Sequence, residues 1–351
     1  MNLDDFGGLL DWSRLQPWME AQSSVPGTGP VRSVRRLTGG SQNNLFLLER
    51  EGGRSVLRRP PARLRAESNK TMMREVRLLE ALRDTAVPHA RLFAACEDQS
   101  IIGANFYVMD VLEGWSMFGP LQGRYATDAN WRRAVGEEVV RAAAALAAVN
   151  CKARGLEDFG KAEDWHARQV PRWMGQLESY AATPGYDGSA FRVDDIGKWL
   201  DTNIVSDRRI GLIHGDFQFP NMMFSLEAPV ISGLIDWELS TLGDPLLDFA
   251  WTLSSWWDDG DPVGSAPPCT PWDGFMTRGE LVSLYGELSG RDMGGMPWFL
   301  VLACYKLGII LEGSYVRSKT GAMPIATGEM LHGYALRLLN KARQVMASGT
   351  I

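Results

Sequence analysis

Residues 212–250 read LIHGDFQFPNMMFSLEAPVISGLIDWELSTLGDPLLDFA, and the rest of the chain arranges itself about them. His214, Gly215 and Asp216 stand together, and Asn221 follows five residues after that Asp. An apolar run at 230–235, broken by Ser232 and Gly233, ends on Asp236, and GDPLLD then brings Asp244 and Asp248. Short β-like runs with acidic or amide residues at their exits suit a metal–phosphate site. Mg²⁺ takes one or two carboxylate or amide oxygens and completes its shell with phosphates and water. A carboxylate placed shortly before such an Asn can orient an attacking hydroxyl, as phosphoryl transfer requires. Taken singly, HGD is a turn, Asn221 a cap and Asp236 a strand-end carboxylate in water. Their order and spacing together favour the functional reading.

With 351 residues, 45% hydrophobic and 22% charged, the chain can bury a sizeable core and is expected to form two subdomains. A net charge of −6 and a pI near 5.4 argue against nucleic acid or an anionic membrane as partner. Cys96, Cys151, Cys269 and Cys304 lack CxxC spacing, which fits reduced thiols in a cytosol better than disulfides or a zinc site. The first residues, MNLDDFGGLLDW, lack a charged-then-apolar signal pattern. The apolar stretches 142–149 and 298–311 are too short, or interrupted by Lys306, to span a bilayer. The expectation is a soluble cytoplasmic protein.

Leu9, Leu10, Trp12, Leu15 and Trp18 predict a short amphipathic helix on the domain surface. Residues 31–57 alternate on either side of GGSQNN and turn again at EGG, which predicts strands joined by hairpins. Gly39 and Gly40 would let the backbone approach a phosphate, with successive N–H groups forming an anion-binding concavity. In the strand SVLRR, Arg59 can equally be a surface residue of an edge strand. Residues 69–82 predict a helix with Met72, Val76, Leu79 and Leu82 on its apolar face and Arg74 and Arg77 on its solvated one. Two strands follow, ARLFAACED and NFYVMDVLEG. From residue 115 the pattern turns helical, with helices predicted at 131–149, 163–182, 193–203, 279–288, 297–313 and 328–346. His166 reads as solvent-facing, and Trp165, Trp173 and Trp199 as core. Asp244, just before Pro245, suits a helix N-cap, and Asp248 a tie for the HGD loop. Residues 254–300 hold a Pro/Gly/Trp-rich loop, which is either a lid or a loop folded over the core by its tryptophans.

HGDFQFPN followed by LIDWELSTLGDPLLDFA resembles the catalytic and metal-binding segments of the aminoglycoside phosphotransferase and choline kinase superfamily. Within it, the chain is most similar to the kinase domain fused to acyl-CoA dehydrogenases and to its free-standing bacterial relatives. The resemblance runs from about residue 34 to about residue 253. It implies an α+β, two-lobed protein-kinase-like fold: an antiparallel-sheet N-lobe with one main helix over 1–112, and a larger, mostly helical C-lobe over 113–351. It implies ATP and Mg²⁺ as cofactors. By it, Asp216 is the catalytic base, Asn221 and Asp236 hold the metal, and His214 supports the loop. Gly39, Gly40, Ser41 and Asn43 sit over the nucleotide, Met109 lines the adenine pocket, and the Asp110 and Leu112 backbones bond the adenine edge. Where the family often has Lys, VLRR places Arg58, a planar fork in place of a point charge. Glu75 takes the place of its paired carboxylate, with Glu80 the alternative that agrees less well in distance to Val87-Pro88.

The resemblance implies a small hydroxylated acceptor. Aminoglycosides are polycations, whereas beyond Asp261 this chain carries eight Lys/Arg against six Asp/Glu. An apolar hydroxylated molecule with an anionic part fits better, and hydroxyacyl-CoA is the leading expectation by analogy. Candidate acceptor contacts are Trp256, Trp257, Asp258, Tyr305 and Arg317. An aminoglycoside, another antibiotic or an amino alcohol is the alternative; a choline-type substrate would want an aromatic cage, which the tryptophans can supply. A nucleotide-binding pseudokinase is the third reading, with Arg58 its sole support. HGD in place of HRD and DWE in place of DFG argue against a protein kinase. Oligomeric state is not legible.

Overall fold

Alternation of apolar and polar residues in NLFLLERE and GRSVLRR builds the middle of an antiparallel sheet. The computed structural model describes residues 3–37 and 43–351. They form two units: Met1–Gly114 with Ala153–Leu156 and Ser232–Glu238, and Trp115–Lys152 with Glu157–Ile231 and Leu239–Ile351.

The first unit opens with α1 (Trp12–Ala21), followed by β1 (Thr28–Leu37), β2 (Asn44–Glu51), β3 (Gly53–Arg59), α2 (Ser68–Leu82), β4 (Leu92–Cys96) and β5 (Phe106–Met109). The strands pair antiparallel in the order β1-β2-β3-β5-β4. Strand β3 is therefore central, not an edge. Because successive side chains point to opposite faces, Leu57 and Arg59 share one face and Val56 and Arg58 the other. On the first face Leu57 joins Phe46, Leu48, Phe106 and Val108, and the N-terminal segment closes the layer with Leu10 before α1 and with Leu15 and Met19 on it. The N-terminal helix thus contributes core rather than surface, each such side chain adding about 1.5–3 kcal/mol by burial. Arg59, read as a surface residue, is buried and donates to the carbonyls of Leu9 at 2.6 Å and Ile102 at 3.2 Å. It ties the N-terminal segment to the sheet. Helix α2 buries Met72, Leu78, Leu79 and Leu82, with Glu75 among them.

The second unit begins with β6 (Trp115–Ser116), β7 (Gly119–Pro120), α3 (Arg124–Thr127), α4 (Ala129–Ala147), α5 (Gln169–Ala181) and α6 (Asp194–Thr202). Then come β8 (Gly211–Ile213), β9 (Met222–Phe224), β10 (Ile231–Leu234), which returns to the first unit, β11 (Thr241–Gly243) and α7 (Leu246–Ser255). The chain ends with β12 (Cys269–Thr270), α8 (Arg278–Ser289), α9 (Met296–Lys319) and α10 (Ile325–Ser348). β8 pairs antiparallel with β11, and β6 with β9; β7 and β12 pair in parallel. Helix α9 runs to 24 residues, longer than its apolar stretch predicts, and is long and apolar enough to cross a membrane. Its packing against α5, α6, α7 and α10 buries most of it, as a core helix requires. Among the described residues the cysteines form no disulfide.

Candidate active site

In the second unit the loop after β8 carries the central motif. Gly215 has φ +85°, and a Cβ there would stand 2.4 Å from the Leu239 carbonyl oxygen, so only glycine fits. The loop hangs on Asp248, in the first turn of α7: the His214 N–H donates to Oδ2, and the Gly215 N–H to Oδ1 at 2.9 Å. Asp248 thus does tie the loop in place. The His214 ring is wholly buried, and its Nδ1 accepts from the Asp216 N–H at 3.4 Å.

This leaves Asp216 projecting with its carboxylate fixed by three donors. Trp251 Nε1 donates to Oδ1 at 3.0 Å, Gln218 Nε2 to Oδ1 at 2.6 Å, and Asn221 Nδ2 to Oδ2 at 2.7 Å. Asn221 also donates to the Asp216 carbonyl at 3.0 Å. Its amide nitrogen is spent, which orients the amide oxygen for a cation. A short 3₁₀ turn, Phe219–Asn221, sets that orientation.

Trp251 and Gln218 are absent from the sequence reading, although both were within reach. Trp251 lies three residues past Asp248 on the same helix face, and Gln218 two past Asp216. Lys306, which the reading used only to interrupt a bilayer span, places its ammonium 4.5 Å over the Trp251 ring and 5.5 Å over Trp173. A lysine inside an apolar helix calls for such a partner. Burial pushes the Asp248 carboxyl up to about 6, held there by the two amides and by Lys306. Burial pushes the Lys306 amine down to about 8, with Asp248 and Asp216 opposing.

Asp244 is a buried hub. Besides accepting from the Leu246 N–H at 3.1 Å as a cap would, it accepts from His166 Nε2 at 2.9 Å, the Arg209 N–H at 3.2 Å and the Arg291 fork. His166 is therefore buried, not solvent-facing.

In the first unit Arg58 and Glu75 form a buried ion pair, Nε to Oε2 at 2.9 Å, and Tyr107 donates to the same Oε2 at 2.8 Å. Arg58 also reaches Asp236 Oδ1 at 3.4 Å. Asp236 has φ +65°, a left-handed conformation that a non-glycine residue adopts at a cost of about 1–3 kcal/mol. Met109 ends β5, half-buried. The Asp110 N–H donates to the Arg91 carbonyl at 2.8 Å, and Leu112 lies against Gly233. Asn43 enters β2. Gly39, Gly40 and Ser41 lie outside the described residues.

A cavity of about 460 Å³ in the second unit is lined by Gln218, Phe219, Trp257, Arg337, Leu338 and Lys341, among others. Of the predicted acceptor contacts it takes Trp257 alone. Trp256 is fully buried, packed on Phe219 and Trp272, with its indole donating to the Met276 carbonyl at 2.8 Å. The Asp258 carboxylate accepts from the Arg278 N–H at 2.7 Å and so fixes the start of α8. Tyr305 is buried in α9, its hydroxyl turned toward Gly197, and Arg317 is exposed in the last turn of α9. Trp256 and Asp258 follow the end of α7, Tyr305 and Arg317 lie on α9, and none of the four lines the cavity.

Residues 33–267 match the model of the phosphotransferase enzyme family. Acyl-CoA dehydrogenase family member 10 of Mus musculus is 28% identical over 320 residues, covering 90% of this chain and 29% of that protein. Acyl-CoA dehydrogenase family member 11 of Homo sapiens is 30% identical over 294 residues, covering 82% of this chain and 37% of that one. The chain thus spans about a third of the length of these curated relatives. Among solved structures, one from Ralstonia eutropha, provisionally named an aminoglycoside phosphotransferase, is 28% identical with a TM-score of 0.78, covering 95% of this chain and 98% of its own. Choline kinase from Cryptosporidium parvum shares the fold at 12% identity and a TM-score of 0.58, covering 96% of this chain and 94% of its own.

Proposed function

Because the chain belongs to the phosphotransferase enzyme family, and so is a small-molecule phosphotransferase of kinase-like fold, we propose that it moves the γ-phosphoryl group of ATP onto a hydroxyl of an apolar acceptor, hydroxyacyl-CoA first among the candidates. The observation that carries this is the Asp216 carboxylate held by Trp251, Gln218 and Asn221, with Gln218 also in the wall of the 460 Å³ cavity. Two relatives bear acyl-CoA dehydrogenase in their names, which supports acyl-CoA chemistry beside this segment.

By the family resemblance Asn221 and Asp236 would hold Mg²⁺; each by itself offers a hard oxygen of the kind this ion prefers, an amide with its nitrogen already bonded and a half-exposed carboxylate. Bound there, Mg²⁺ would neutralise charge on the nucleotide phosphates. Arg58, backed by Glu75, offers a planar fork to phosphate oxygens. The acceptor oxygen bonds to the γ-phosphorus as the bond to the β,γ-bridging oxygen breaks and ADP departs. The hydroxyl proton passes to Asp216, late in the step because the transition state is loose. Oδ2, with one donor, has room to receive it. Trp251 and Gln218 hold the carboxylate in line, so little rotational freedom is lost on reaction.

The test is Mg²⁺-dependent ADP release from ATP across hydroxyacyl-CoAs, hydroxy acids, amino alcohols and aminoglycosides, with Asp216→Asn as control. Stimulation by the hydroxyacyl class, abolished in the variant, is expected. Stimulation by amino alcohols or aminoglycosides alone would replace the acceptor; no ATP binding at all would sink the phosphotransfer reading.

A further inference from the structure

The cavity beside Gln218 has a charge pattern that the reaction itself does not explain. Its one lining carboxylate, Asp261, is spent twice: Lys341 Nζ lies 3.0 Å from Oδ2, and Arg278 donates to Oδ1 at 2.6 Å. The Asp258 carboxylate, which accepts from the Arg278 N–H at 2.7 Å, stands beside them as a second acid, so these two cations are compensated. Lys341 is fixed further by the Ser254 carbonyl at 3.0 Å. Arg337, also in the wall, is different. Among the described residues its guanidinium makes no hydrogen bond and no ion pair; it lies 5.8 Å from the Tyr334 ring centroid. It is half-buried, so water compensates it only in part. The wall also carries apolar side chains, among them Phe219, Trp257 and Leu338.

A pocket that shares Gln218 with the Asp216 carboxylate and holds apolar side chains and an unpaired guanidinium suits one class of molecule. We propose that Arg337 makes this pocket selective for acceptors that carry an anionic group, carboxylate or phosphate, on an apolar hydroxylated chain. This rests on the phosphotransfer reading above for its second substrate, and on the cavity alone for its selectivity. The guanidinium fork matches either oxyanion bidentately, and its field rejects polycationic acceptors. At about 460 Å³ the cavity is of ligand size and accepts the acyl portion, with a larger head group left outside.

The experiment titrates the full chain calorimetrically with a hydroxylated fatty acid of medium length, its neutral methyl ester and its CoA thioester, and follows ADP release with each. In Arg337→Met, Kd and KM for the acid should rise about 10- to 100-fold, the usual worth of a charge-assisted hydrogen bond. The ester's KM, the ATP KM and kcat should stay put, and Arg337→Lys should recover part of the loss. Dependence on Arg337 for the thioester alone would support the site and assign it to phosphate rather than carboxylate. Equal binding of acid and ester by the parent chain, or equal losses for both in Arg337→Met, together with a thioester indifferent to Arg337, overturns the proposal. Turnover of neutral acceptors only also overturns it while leaving phosphotransfer standing. Arg337-dependent binding without any ADP release does the reverse.

Discussion

Arg58 Nε lies 2.9 Å from Glu75 Oε2 with both side chains more than nine-tenths buried, so each is the other's replacement for water. A lysine in this place would offer one point of charge, whereas the guanidinium touches Glu75 and Asp236 together. Glu75→Gln leaves Arg58 a buried, half-compensated cation. It should destabilise the fold by about 3–5 kcal/mol in denaturant unfolding, as breaking a buried pair does. Arg58→Lys should keep more of the stability but raise the KM for ATP by about tenfold, the worth of one lost charge-assisted bond. An unchanged ATP KM in both variants would remove Arg58 from the nucleotide site.

Trp251 acts on catalysis through Asp216, to which its indole donates at 3.0 Å. Trp251→Phe keeps an aromatic ring under Lys306 and deletes the donor, along with the volume of one fused ring. Asp216 Oδ1 then retains Gln218 alone and swings more freely. Steady-state kinetics should show kcat down about tenfold with acceptor KM nearly constant, the signature of an interaction used mainly in the transition state. A rise in KM with constant kcat would instead make Trp251 an acceptor contact.

The backbone plan and the order of the candidate site residues are legible because both are local. Strand alternation in NLFLLERE, helical period at 69–82, and the HGD–Asn–Asp spacing are all properties of neighbours in sequence. Asp248 was legible as the loop's tie. What escaped depends on helical phase and on long-range packing. Trp256 and Trp257 are adjacent, yet one fills the core and the other faces the cavity. Arg58 and Arg59 are adjacent, yet the sheet sends one to Glu75 and the other to the N-terminal segment. His166 is 78 residues from Asp244 in sequence and 2.9 Å from it in space. Residue type announces a polar group; only the fold says which partner it meets.

Asp244 and Arg291 are both almost wholly buried, and the Arg291 fork takes both carboxylate oxygens. Burial would raise the Asp244 pKa, but Arg291 and His166 outweigh it and hold the carboxyl below its usual 3.8. A depressed acid stabilises the fold above its unfolded value and loses that contribution as pH falls through the folded one. Asp244→Asn should therefore cost about 3–5 kcal/mol at neutral pH, and much less in acid. A penalty that does not shrink toward pH 3 would show that packing, not charge, holds this hub.

The pH profile of turnover should fall at both ends for reasons the loop itself supplies. Asp248 is pushed up to about 6, so below that pH it takes a proton and no longer offers two anionic oxygens to the His214 and Gly215 amides. Lys306 is pushed down to about 8, so above that pH it loses its charge, its hold on the Trp251 face and its offset of Asp216 and Asp248. Stability moves differently. Between 3.8 and about 6 the folded chain binds a proton at Asp248 that the unfolded chain does not, so this group's contribution declines as pH rises. Between about 8 and 10.5 the unfolded chain binds one at Lys306 that the folded chain does not, so stability rises with pH there. Activity and stability thus change in opposite senses across both windows. Lys306→Met should flatten the alkaline limb of kcat and remove the alkaline gain in thermal stability together. Loss of one without the other would mean that a different group titrates near pH 8.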